Sequence, residues 1–68
     1  MEPTAGGILK DLMACSDISQ RQLAKEIDVS NGTISRIVND KVVPTGRTLI
    51  KIADYFGVTV GYLLGKEE

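Results

Sequence analysis

Apolar residues recur along this chain at the three- and four-residue spacing of short helices, and the polar residues between them carry the signals that separate one helix from the next. Ile8, Leu9, Leu12 and Met13 keep that spacing to about Cys15 and predict a first helix, entered loosely through Gly6 and Gly7. Ser19, with Gln22 three positions on, has the form of a capping box; it opens a second helix over about Gln20–Ile27, and Ile18 stands where a hydrophobic staple would. Ser30 opens a third in the same way. That helix runs to near Val38, where Asn39 and Asp40 are able to enter a left-handed cap. Val42, Val43 and Pro44 read as an extended link. Thr45 caps a fourth helix with the stripe Leu49, Ile52, Ala53 and Phe56, which Gly57 ends; Thr59 caps a short fifth carrying Val60, Leu63 and Leu64, both leucines expected inside, before Gly65 stops it.

The segment from Gln20 to Asn39 is the most constrained. Leu23 and Ile27 lie one turn apart on the second helix, Ile34, Ile37 and Val38 share a face of the third, and Ala24 is small where two backbones must approach. Two short helices crossing through a tight turn make a helix-turn-helix. The inner face of its second helix, about 30–38, is filled by aliphatic groups, and its outer face offers Asn31, Gly32, Thr33, Ser35 and Arg36. Short polar groups and one guanidinium suit base edges in a major groove.

Composition narrows the classes. The chain has 68 residues, room for one domain with a modest core, and is 43% hydrophobic but only 4% aromatic, which favours small helices over a sandwich. No apolar run approaches the roughly 20 residues of a membrane span and no signal pattern stands at Met1, so a soluble, cytoplasmic protein is expected. Cys15 is the lone cysteine and histidine is absent, so neither an internal disulfide nor the usual zinc spacing is available; Cys15 reads as a small, partly buried hydrophobe. No metal, cofactor or small-molecule substrate is expected, and nothing in the sequence has the form of a nucleophile elbow or phosphate loop that an enzyme would need. The formal net charge of −1 argues against a nucleic-acid partner until its distribution is considered. From Ile18 to Arg47 the chain sets Arg21, Lys25, Arg36, Lys41 and Arg47 against Glu26, Asp28 and Asp40, so the positive end coincides with the helix-turn-helix.

Taken together, these residues resemble the helix-turn-helix domain of phage Cro and repressor proteins, the bacterial XRE family, from Leu9 to Gly65. The resemblance rests on Gln20 opening the second helix, Ala24, the apolar residues Leu23, Ile27, Val29, Ile34 and Ile37, Pro44-Thr45 leading to Leu49, and the run Gly57-Val58-Thr59-Val60-Gly61-Tyr62-Leu63-Leu64. It implies an all-α, compact five-helix repressor-like DNA-binding domain over 1–65, with 66–68 a solvated tail or the start of a linker. It further implies a bacterial or phage regulator, most often a repressor, that binds a double-stranded operator, usually as a dimer on a palindrome. Three departures stand out. Asp28 occupies the tight turn, and Asp40 the end of the third helix, where the family has glycine; Asp28 is therefore expected in the left-handed region. Met13 and Val38 replace an arginine and a glutamate that many relatives pair in the core, and are expected to touch.

In this frame Asn31 is suited to adenine and Arg36 to guanine, with Gly32, Thr33 and Ser35 beside them, the alternative for each being a solvated helix face. Gln20, Arg21, Asn39, Lys41 and Arg47 are candidate phosphate contacts or else caps and solubilising charges. Val60 and Tyr62 on the last helix are candidates for a weak homodimer contact, against simply sealing the core. The competing class is a helical protein-interaction module that keeps the fold without reading DNA. An apolar or aromatic outer face would favour it, and the third helix offers a polar one.

Overall fold

Every helix among the described residues begins at a hydroxyl side chain and ends beside a residue with left-handed backbone. A computed structural model describes residues 4–66, which form α1 (Ala5–Ser16), α2 (Gln20–Ile27), α3 (Asn31–Val38), α4 (Gly46–Phe56) and α5 (Val60–Leu63). Thr4, Ser19, Ser30, Thr45 and Thr59 are the five N-caps, each accepting from the backbone N–H three residues on at 3.0–3.3 Å. Each such bond satisfies one amide that the first helical turn leaves without a partner.

The C-terminal ends share one geometry. Asp17, Asp28, Asp40, Gly57 and Gly65 have φ of 54°, 59°, 57°, 69° and 72°. The next N–H in each case returns to a carbonyl five residues back: Ile18 to Met13, Val29 to Ala24, Lys41 to Arg36, Val58 to Ala53 and Lys66 to Gly61, at 2.8–3.0 Å. This is the bond that defines a Schellman end, and it uses a last-turn carbonyl that would otherwise be orphaned. A three-residue connection consequently recurs: Asp17-Ile18-Ser19, Asp28-Val29-Ser30 and Gly57-Val58-Thr59 each combine a left-handed residue, a β-branched apolar residue packed against the core, and the next N-cap.

The core is aliphatic throughout. Leu9, Met13, Leu23, Ala24, Ile27, Ile34, Ile37, Val38, Leu49, Ile52, Ala53 and Leu63 are buried, and no polar or charged side chain among the described residues is buried with them. Met13 and Val38 both lie in this one cluster, so the space an ion pair would occupy is filled by apolar groups without leaving a lone charge. The α3 helix packs on both α2 and α1, and α4 and α5 close the remaining side.

Four expectations change. Gly6 and Gly7 are inside α1 rather than a loose lead-in, because Thr4 supplies the cap that sequence spacing did not reveal. Cys15, expected to be partly buried, is exposed on the outward side of α1. Leu64 is 40% exposed, since the helix ends at Leu63 and the chain then turns away from the core. Of the two residues expected near a left-handed cap after α3, Asp40 adopts it and Asn39 does not, with φ of −95°. Met1–Pro3 and Glu67–Glu68, including most of the anticipated tail, lie outside the described residues.

Candidate nucleic-acid interface

The turn Asp28-Val29-Ser30 sets α3 across α2. Leu23, Ala24 and Ile27 present the buried face of α2, and Ile34, Ile37 and Val38 are the buried residues of α3. With those three committed inward, the helical period leaves Asn31, Gly32 and Arg36 exposed and Thr33 and Ser35 half-buried at the margins. The candidate base-reading residues thus share one strip of α3.

Within the strip the side chains differ in how free they are. Ser30 Oγ and Thr33 Oγ1 are 2.7 Å apart, so the Thr33 hydroxyl already has a partner at the helix start. Asn39 Nδ2 donates to the Ser35 carbonyl at 2.8 Å and lies 3.5 Å from Ser35 Oγ, making Asn39 a clamp on the last turn of α3. Arg36 lies back along its helix: a Cβ added to Gly32 would stand 3.8 and 3.9 Å from its two terminal nitrogens. That glycine leaves the guanidinium flush with the helix surface.

Around the strip, Gln20 is half-buried at the first position of α2 and Arg21 is exposed beside it. Ser19, Arg21, Gln22 and Lys25 line a shallow recess on this helix. This recess adds Gln22 and Lys25 to the candidates, and for Lys25 the four-residue spacing from Arg21, which sets two cations on one helical face, is the signal in the sequence. Lys41 follows α3 and Arg47 lies in the first turn of α4, both exposed. No salt bridge engages Arg21, Arg36, Lys41 or Arg47 among the described residues. Cations without ion-pair partners among the described residues, one on the polar strip and three around it, two of these in the first turns of α2 and α4 where the helix end carries positive partial charge, form a surface suited to a polyanion.

The last helix presents its groups differently from the sequence expectation. Val60 is half-buried and packs against the core, whereas Tyr62 is exposed at 38% and Leu64 at 40%. Leu64 borders a groove with Gly6, Asp40, Val42, Val43 and Pro44, in which Val43 is 85% exposed. The helices are also short: none among the described residues is long and apolar enough to cross a membrane.

The comparisons with known proteins agree with this geometry. The family model described as helix-turn-helix matches residues 9–63. The HTH-type transcriptional regulator ImmR of Bacillus subtilis (strain 168) is 30% identical over 63 residues, which is 93% of this chain and 50% of that protein, so the chain spans about half the length of this relative. The P22 c2 repressor protein, in a crystal structure with synthetic operator 9T in the presence of Tl+, matches with a TM-score of 0.88 and 25% identity, over 96% of this chain and 98% of that one. From its family match, its five-helix architecture and its α2–turn–α3 unit, the chain belongs to the XRE-type helix-turn-helix family.

Proposed function

We propose that this chain is the DNA-binding domain of a transcriptional regulator and that it reads double-stranded DNA by laying α3 in the major groove. Asn31, Gly32, Thr33, Ser35 and Arg36 are the base-reading residues; Gln20, Arg21, Asn39, Lys41 and Arg47 hold the phosphates. The observation that carries this reading is the division of α3, whose aliphatic residues are buried while Asn31, Gly32 and Arg36 face solvent. Arg36 reads guanine through O6 and N7 and Asn31 reads adenine, each contributing about 1–3 kcal/mol of discrimination. Asn39 acts by fixing the end of α3 and spends its amide there, so its phosphate contact is the weakest of the set.

The regulator is a repressor that uses two copies on a palindrome. The domain measures 28 × 24 × 22 Å, narrower than the roughly 34 Å between successive major grooves on one face of a duplex, so two copies fit side by side without overlap. Their contact uses Tyr62, Leu64 and Val43 rather than Val60, and it is weak, because so few apolar groups bury little of the roughly 1,000 Å² that a stable interface needs.

The test is an electrophoretic shift with duplexes selected from a random pool, repeated with Arg36→Ala. Loss of selectivity at one base pair, with binding to other duplexes largely kept, is the expected result. A chain that shifts no duplex at low salt would instead be an interaction module that keeps the fold without reading DNA.

A further inference from the structure

The peptide bond between Asn31 and Gly32 carries chemistry that DNA binding does not use. Both residues are exposed, and the Asn31 side chain has no hydrogen-bond partner among the described residues. The Gly32 nitrogen lies in the first turn of α3, before the point at which helical carbonyls become available to it. The two N–H groups after it, those of Thr33 and Ile34, return to Ser30. Glycine carries no Cβ to obstruct its own nitrogen, and around the position a Cβ would take the nearest groups are the Arg36 terminal nitrogens, at 3.8 and 3.9 Å.

We propose that Asn31-Gly32 is a slow self-modification site, restrained by the Ser30 cap, whose conversion places a carboxylate on the DNA-facing strip and ends binding. The Gly32 nitrogen gives its proton to solvent and attacks Asn31 Cγ. A five-membered imide closes as the new N–C bond forms, the Cγ–Nδ2 bond breaks, and the side-chain nitrogen leaves as ammonia. One water then opens the ring at either carbonyl, giving aspartate or isoaspartate. The balance is one water consumed and one ammonia released, with no change of oxidation state.

Ring closure requires the Asn31 backbone to leave the helical range, which opens the first turn. What holds that turn is Ser30, whose Oγ accepts from Thr33 N at 3.1 Å and contacts Thr33 Oγ1 at 2.7 Å. The functional consequence rests on the DNA-binding reading; the modification itself does not. A carboxylate in place of the amide removes the donor that pairs with adenine and faces phosphates with like charge.

The full chain is incubated in mildly alkaline buffer and followed by peptide mass, which rises by one unit per conversion, with isoaspartate detected by enzymatic methyl transfer. Position 31 is expected to convert ahead of Asn39, whose amide is tied to Ser35, and Gly32→Ala is expected to slow it. Ser30→Ala should convert about fivefold faster, as loss of one N-cap predicts, while Ser30→Asp, which keeps a capping oxygen, and Ser19→Ala, which removes the equivalent cap from α2, should stay near the parent rate. Persistence of Asn31 while Asn39 converts would overturn the proposal. So would equal acceleration by Ser30→Ala and Ser19→Ala, which would assign conversion to unfolding of the whole chain. Converted protein and Asn31→Asp should both bind a duplex selected by fresh protein about tenfold or more weakly, and equal binding would sink the functional half. If fresh protein selects no duplex, the DNA-binding reading fails while the mass measurement still decides the modification.

Discussion

Asp28 adopts φ 59° and ψ 50°, a conformation that costs a residue with a side chain about 1 kcal/mol, and it does so at a helix end where the partial charge is already negative. Asp28→Gly is therefore expected to stabilise the domain by about 1 kcal/mol, seen as a rise in Tm of about 4–8 °C by differential scanning calorimetry; an unchanged or lower Tm would contradict it. Gly6 shows the opposite constraint. A Cβ there would overlap the carbonyl oxygen of Ile37 and stand 2.7 Å from Asp40 Oδ1, so α1 seats against the end of α3 only because this residue has no side chain. Gly6→Ala should cost about 1–3 kcal/mol in urea denaturation, since the obstructing atoms include backbone and cannot rotate aside. The residue identity was visible in the sequence, but the need for it was not, because the carbonyl it faces lies some thirty positions further along the chain.

Among the elements, α3 takes little help from its own composition. Gly32 in its first turn weakens an eight-residue helix, yet an added Cβ would meet only ordinary contacts with the Arg36 side chain. Gly32→Ala is expected to raise stability by about 0.5–1 kcal/mol in thermal melts, and if the same variant binds selected DNA less tightly, the glycine is kept for close approach rather than for folding. The bounds of α2 and α3 were legible because serine caps and aliphatic spacing are local signals that agree with each other. The start of α1 was not, because the two glycines suggested a break where Thr4 and the packing against α3 supply a helix. Asp17 was missed for a related reason: a left-handed aspartate is recognisable only once the repeated turn made by Asp28 and Gly57 is seen beside it.

At the scale of the molecule, the radius of gyration of 10.6 Å matches the roughly 11 Å expected for a chain of this length, with an aliphatic core that holds no charged side chain among the described residues. The charge is divided: the basic excess lies between Ile18 and Arg47, while the remainder of the chain is acidic. Few phosphates are neutralised by such a surface and few counterions released. A salt titration of DNA binding is accordingly expected to give a log–log slope shallower than about −6, and a steeper one would show that more cations reach the backbone than the candidate set contains.

Helix content, the crossing of α2 and α3, and the polar character of the α3 strip followed from the sequence, because caps and apolar periodicity act within a few residues. The folded geometry, within α3 as well as between helices, decided which groups of that strip remain available. It tied Asn39 to the Ser35 carbonyl, gave the Thr33 hydroxyl to Ser30, laid Arg36 over Gly32, turned Cys15 and Leu64 outward, and pressed Gly6 against α3. Hydrogen-bond competition and steric exclusion depend on distances between atoms, which residue spacing along a chain does not specify.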